Sequence, residues 1–299
     1  MEHDPQTRPG TLFIFGLGYS AEVLARRLLP QGWRVIGTTR DAAKARRLKG
    51  LGIEPILWTE RPVAAALGQA THLLSSVGAV AAGDPVLLAE SAAIAEVAPR
   101  LKWAGYLSTT GVYGDHGGGW VDEDTALAPT TERGRWRLQA ERAWAAIPAL
   151  PIHHFRLAGI YGPGRGPFQK VRDGSARLIL KDGQFMSRIH VEDIATVLAA
   201  SMARPAPGRA YNVCDDAPSA PEDVLREAAR LLDLPPPPAM RFEEAEMSPI
   251  ARGFYSESKR VRNGRIKDEL GVRLAYPTYR EGLRAILAAE RTSPCSGHP

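Results

Sequence analysis

The 299 residues are 44% hydrophobic and 24% charged, ordinary values for one large globular unit or for a large unit with a smaller one attached. No apolar run reaches the roughly 18 residues that cross a bilayer, and the polar start MEHDPQTRPG is not a secretory signal, so a membrane-spanning or exported chain is not expected. Cys214 and Cys295 are too few and too far apart for a disulfide framework or a metal site, and the +5 net charge is scattered over Arg-rich, helix-like stretches such as Asp41 to Lys49; the expectation is a cytoplasmic protein without a metal or a nucleic-acid partner.

Thr11 to Phe15 is a short apolar run ending in glycine and predicts a buried strand. Gly16 to Ser20 then predicts a turn, Ala21 to Leu29 a helix, and Trp33 to Thr38 a second strand, together one strand-turn-helix-strand unit. His72 to Ser76 predicts another strand end, and Asp84 with Pro85 the start of a helix, because proline lacks an N–H only where none is needed. Gly105 to Ser108 and Ile152 to Leu157 read as strands, Arg133 to Ala146 and Val191 to Met202 as helices, and Ala210 to Cys214 as the last strand of the main sheet. From Pro218 the texture changes. Ser219 and Glu222 have the spacing of a capping box for a helix to Leu232, prolines 235 to 238 follow, and a final helix spans Tyr279 to Glu290.

Strands alternating with helices predict an α/β fold, a doubly wound parallel Rossmann sheet with a smaller C-terminal substrate lobe. The expected division is a flexible start at 1–10, a dinucleotide-binding domain at 11–215 with a lobe insertion near 161–187, a small lobe at 216–290, and a flexible tail at 291–299.

Gly16-Leu17-Gly18-Tyr19-Ser20-Ala21 is a GxGxxA string, and its place between a strand and a helix is what makes it informative. Gly16 permits a tight turn, Gly18 lets the backbone approach a pyrophosphate, and Ala21 allows close packing of helix on strand. The helix beginning at Ala21 offers free N–H groups and a partial positive charge to phosphates, so Tyr19, Ser20 and Ala21 are expected at the cofactor. The second strand ends at Thr39 and Arg40, where an NAD-selective site would place an acid on the ribose. Arg pairs with a 2′-phosphate, so NADP is favoured over NAD, although Arg40 facing solvent is the plainer alternative. Ser75, Ser76 and Gly78 either lie beside the same cofactor or are turn residues.

Leu107-Ser108-Thr109-Thr110-Gly111-Val112-Tyr113-Gly114, Arg156-Leu157-Ala158-Gly159-Ile160-Tyr161-Gly162-Pro163-Gly164 and Arg188-Ile189-His190-Val191-Glu192-Asp193-Ile194-Ala195 follow in that order. With these strings the chain, from about Thr11 to Leu287, resembles the extended short-chain dehydrogenase/reductase family of NAD-dependent epimerase/dehydratases, most closely its atypical members of unassigned activity. The resemblance makes Thr109 the active-site Ser/Thr that hydrogen-bonds a substrate oxygen; a threonine capping its own turn is the alternative. It also puts the family's Tyr and Lys, four residues apart on the next helix, near Arg133 and Arg137. Arginine does not exchange a proton near neutrality, so the family's acid/base is missing there, while Arg137 remains suited to a ribose or phosphate and Arg133 to an anionic substrate.

Tyr113 is the substitute acid nearest to Thr109, although the family packs that residue. Tyr255 and Lys259 have the right spacing in the wrong place and read as a chance match. Thr110 and Gly111 stand where dehydratases carry Asp-Glu, which argues against water elimination, and Asp122, Glu123 and Asp124 read as a solvated loop. His190 reads as structural, and Arg165 as facing either substrate or solvent. The resulting expectation is an NAD(P)-dependent oxidoreductase or epimerase for a small, sugar-like or anionic substrate, with homodimerisation left open. A non-catalytic NAD(P)-binding sensor or regulatory module is the competing reading.

Overall fold

The computed structural model describes residues 9–59 and 63–292, so most of the expected flexible start and most of the tail, Cys295 included, lie outside the described residues. The first half of the chain runs β1 (Thr11–Phe15), α1 (Tyr19–Leu28), β2 (Arg34–Thr39), α2 (Ala42–Gly50), β3 (Glu54–Leu57), α3 (Ala64–Leu67), β4 (His72–Ser75), α4 (Pro85–Val97) and β5 (Trp103–Thr109). It continues with the short β6 (Trp120–Val121), α5 (Glu132–Ala145), β7 (Ile152–Leu157), β8 (Gly159–Tyr161), α6 (Phe168–Arg172), β9 (Leu178–Leu180) and β10 (Arg188–His190). The remainder is α7 (Val191–Ala203), β11 (Ala210–Val213), α8 (Pro221–Leu231), β12 (Ala239–Arg241), α9 (Pro249–Tyr255), β13 (Arg260–Val261), α10 (Gly264–Asp268) and α11 (Tyr279–Thr292).

Seven strands form one parallel sheet in the order β11-β7-β5-β4-β1-β2-β3, the doubly wound arrangement expected from the alternation. Successive side chains of a strand point to opposite faces, and β1 shows the consequence. Leu12 and Ile14 join a core with Leu24 and Leu28 of α1 and Val197 and Leu198 of α7, while Phe13 and Phe15 join Ile94 of α4 and Trp144 of α5 on the other face. A sheet covered on both sides buries both faces of its central strands, and every residue of β4 and β7 is buried, the polar His72, Ser75, His153, His154 and Arg156 included. The strand order reverses between β1 and β4, and in open α/β sheets ligands bind at the carboxyl ends beside such a switch point.

The sequence reading missed β3, an edge strand whose Glu54 is exposed and whose four residues carry little apolar signal. The capping box is also corrected. Helix α8 has Ala220 at its N-cap without a side-chain cap, and Ser219 Oγ instead accepts from Arg188 at 2.9 Å. Pro221 takes the first helical position, where its missing N–H costs nothing. Tyr161, Phe168 and Val171 share a further core with Ala228, Ala229, Tyr279, Leu283 and Ile286, which draws the segment after β8 onto α8 and α11. No helix among the described residues is long and apolar enough to cross a membrane.

Candidate functional site

Gly16 turns the chain out of β1 with φ +74°, and a Cβ there would meet Val77 Cγ2 at 2.7 Å, so glycine is required twice over. The turn is pinned from β2: Gly16 N donates to Thr38 Oγ1 at 2.8 Å and Leu17 N to Thr38 O at 2.9 Å. Gly37 completes the joint, since a Cβ at that point would overlap Leu17 Cδ1. Neither Gly37 nor Thr38 was singled out from sequence, although an isolated glycine inside a strand is a known sign of close approach.

Helix α1 then starts at Tyr19 with Gly18 as its N-cap and no side-chain cap. Its first amides therefore open toward the strand ends, and Ser20 and Ala21 are buried behind them. A Cβ on Gly18 would meet nothing closer than Gly16 O at 3.8 Å and Ser76 Oγ at 3.9 Å. The protein's own packing thus does not demand glycine there, and the space in front of the turn is open. That cradle fits a diphosphate. Ser76 faces it from the end of β4, whereas Ser75 is fully buried and its Oγ has no hydrogen-bond partner. Tyr19 reaches sideways, donating from its hydroxyl to Pro163 O at 2.9 Å under the Arg165 guanidinium, 5.9 Å from the ring centroid.

At the end of β2, Thr39 is buried and its Oγ1 accepts from Asp41 N at 3.2 Å, while Asp41 caps α2 through Ala43 N and Lys44 N. Arg40 between them is exposed and has no hydrogen bond or ion pair among the described residues.

Thr109 ends β5, and its Oγ1 accepts from Gly111 N at 3.2 Å, so it does cap its own turn. That bond uses the oxygen and leaves the O–H free to donate. Arg137 of α5 is half-buried, with Nη1 donating to Leu107 O at 2.6 Å, two residues before Thr109 on β5, and Nη2 3.0 Å from where a Cβ on Gly78 would stand. A fixed cation therefore occupies the gap between the ends of β4 and β5. Arg133, one turn earlier on α5, is exposed. Gly134, between them in sequence, is locked against Gly111 O, which a Cβ would approach to 2.7 Å, and so sets the distance from α5 to the Thr109 turn.

Tyr113 is elsewhere. It is fully buried, donates to Asn212 Oδ1 at 2.7 Å and accepts from Arg156 at 2.9 Å, and burial pushes its hydroxyl up to about 12. Its only proton is committed, so the geometry is that of a packing residue. Arg156 in turn forms a buried bidentate pair with Glu141 of α5 at 3.0 and 3.3 Å. Lys259 donates to Gly114 O and Glu257 Oε2, both at 2.6 Å, and makes no bond to Tyr255. His190 caps α7 by accepting from Glu192 N at 3.2 Å, and burial holds its imidazole down to about 4. No cluster of potential metal ligands occurs among the described residues. Asp122 binds Thr125 and Asp124 is paired with Arg265, but Glu123 is largely buried and accepts from Asn212 N at 2.8 Å, so that segment is less solvated than expected.

No family model matches the chain. Protein YeeZ of Escherichia coli K12 is 31% identical over 279 residues, covering 88% of this chain and 95% of YeeZ. A solved structure described as a functionally unknown conserved protein from Silicibacter pomeroyi DSS is 58% identical, with TM-score 0.90, over 94% of this chain and 99% of that one. Two more distant structures share the fold. MoeE5 in complex with UDP-glucose and NAD is 19% identical with TM-score 0.73, over 94% of this chain and 99% of that one. Human epimerase family protein SDR39U1 with NADPH is 16% identical with TM-score 0.73, over 93% and 99%. The chain therefore shares their α/β Rossmann fold.

Proposed function

The chain belongs to the family of Escherichia coli protein YeeZ, and from that premise we infer that it binds a nicotinamide dinucleotide, NADP in preference to NAD, and acts as an oxidoreductase or epimerase on a small molecule. The observation that carries this reading is the uncapped start of α1 behind the Thr38-pinned glycine turn, at the point where the sheet order reverses. MoeE5 and SDR39U1, which share the fold, are named with NAD and NADPH respectively.

In this reading the amides of Tyr19, Ser20 and Ala21 hold the pyrophosphate, with Gly16 and Gly18 shaping the approach. Arg40, exposed and unpaired beside the end of β2, holds the 2′-phosphate that distinguishes NADP, with Thr39 at the ribose. When bound, the nicotinamide supplies or accepts a hydride. Thr109 orients a substrate oxygen by donating its free O–H, and Arg137 fixes the cofactor ribose or a developing negative charge as a permanent cation. Arg133 is placed to meet an anionic substrate from the exposed side of α5. Thr110 and Gly111 carry no carboxylate, so dehydration is not part of the reading. The lobe formed by residues 216–290 and the 161–187 insertion selects the substrate.

The test is calorimetric titration followed by turnover. NADPH should bind at least 10-fold tighter than NADH, and Arg40→Ala should remove that difference. A folded protein that binds neither nucleotide would end the reading. With NADPH and a panel of carbonyl compounds, turnover should disappear in Thr109→Val. One observation favours a second reading, a non-catalytic cofactor sensor: Tyr113 is committed to Asn212 and Arg156, and α5 offers arginines where a proton donor would stand. Tight NADPH binding with no turnover across the panel would favour that reading.

A further inference from the structure

We propose that the cleft between the loop after β8 and helix α11 holds an anion-bearing small molecule, a carboxylate or phosphate monoester on a short apolar body, with Arg188 on the anion. The cleft has a volume of about 390 Å³, within the range of small-ligand sites. Its apolar walls include Ile160, Met186, Val224 and Leu283. Its charged lining residues are Arg165 and Arg188, and no carboxylate lines it.

Arg188 is held but not neutralised. It stands at the start of β10, where its Nη1 donates to Met186 O at 3.1 Å and Ser219 Oγ at 2.9 Å, and its guanidinium lies 6.0 Å from the centroid of the Tyr279 ring. It has no ion pair among the described residues, and neither Nε nor Nη2 has a partner. Three other covered arginines are matched, Arg156 by Glu141 at 3.0 Å, Arg27 by Glu192 at 2.9 Å and Arg265 by Asp124 at 2.7 Å, whereas the half-buried Arg137 and Arg260, like Arg188, have no ion pair among the described residues. The acid next to Arg188 is Asp215, whose N donates to Arg188 O at 2.6 Å. Asp215 is 1% exposed, its Oδ2 has no partner, and burial pushes its carboxyl up to about 8, so near neutral pH it does not supply the missing charge. A cation withdrawn from water without a counter-ion is costly, and an anionic ligand offsets that cost. Two free guanidinium nitrogens in one plane match the two oxygens of a carboxylate or phosphate.

Arg165 connects this cleft to the glycine turn, because its loop carries the Pro163 carbonyl that Tyr19 of α1 holds. A ligand in the cleft thus sits across one loop from the cradle. Calling that ligand the substrate rests on the nicotinamide reading; its binding does not.

The experiment is isothermal titration of the full chain with hexanoate, butyl phosphate and the neutral hexanamide at fixed ionic strength, with NADPH titrated separately. One or both anions should bind saturably and hexanamide at least 10-fold more weakly; whichever anion binds tighter identifies the head group. Arg188→Met should lose at least 10-fold for the anions with NADPH binding unchanged, and Val224→Trp, which fills the apolar end and leaves the guanidinium alone, should abolish hexanoate binding. Equal binding of hexanamide, unchanged anion binding in Arg188→Met, or no saturable binding of either anion overturns the proposal. Anion binding with no NADPH binding would instead overturn the nicotinamide reading and leave the cleft assignment intact.

Discussion

The two ends of the candidate site are built from different materials. At the start of α1 the groups that would face a ligand are main-chain amides, placed by glycines and by one threonine hydroxyl. At the end of β5 they are the side chains of Thr109 and Arg137, and α5, which carries Arg137, also carries Glu141 of a buried polar network in which Tyr113, Arg156, Glu141 and Asn212 satisfy one another. The first kind of site depends on where the backbone goes and tolerates change in most neighbouring side chains. The second depends on every member of the network, since in a low-dielectric interior each unpaired group is costly.

That contrast predicts different failures. Glu141→Ala should be the most damaging change, because it leaves Arg156 buried without its counter-ion. A loss of about 3–5 kcal/mol in unfolding free energy by urea titration is expected, and a loss under about 1 kcal/mol would mean that the network is not a structural unit. Gly18→Val should do the reverse. Packing leaves room for a Cβ there, so stability should fall by no more than the roughly 1 kcal/mol of a poorer N-cap while NADPH affinity falls roughly 100-fold, about 2.7 kcal/mol. A parallel fall in the melting temperature would erase the distinction between the two ends.

Thr38→Val probes the one side chain that the backbone end depends on. It strips the acceptor from Gly16 N, and a loss of about 1–2 kcal/mol in stability is expected, with a few-fold weaker NADPH binding by fluorescence titration. The smallest effect per unit of perturbation concerns pH. Asp215 is held up to about 8 when folded, against about 4 for an unfolded aspartate. Between those values the folded chain keeps a proton that the unfolded chain has released. Stability should therefore fall as pH rises through that window, by at most about 1.4 kcal/mol per pH unit, and level off above it. Asp215→Asn, which keeps an oxygen for Ala217 N, should flatten the profile measured by denaturation at pH 5 to 8. An unchanged slope would place the titrating group elsewhere.

The legibility of the two ends differed for the same reason. The GxGxxA string and its flanking apolar runs were readable because a glycine turn between a strand and a helix is a local event, set by φ and by residue size. Thr109 and Arg137 were readable only through resemblance. Tyr113 was read as a substitute acid because it follows Thr109 by four residues, yet the short turn after β5 carries it into the core against Arg156. Arg188 appeared in the sequence only as part of a string, since its lack of a counter-ion is visible only once Asp215, Tyr279 and Ser219 are brought around it.

The sequence by itself determined the alternating strands and helices, the parallel sheet and the turn at Gly16. These follow from apolar periodicity and backbone sterics, which act over a few residues. Only the tertiary structure decided which polar groups are committed to each other and which stay free, because the pairs that settle it are far apart in the chain: Tyr113 with Asn212, Arg137 with Leu107, Tyr19 with Pro163. Hydrogen bonds between distant segments leave no periodic trace in the residues that make them.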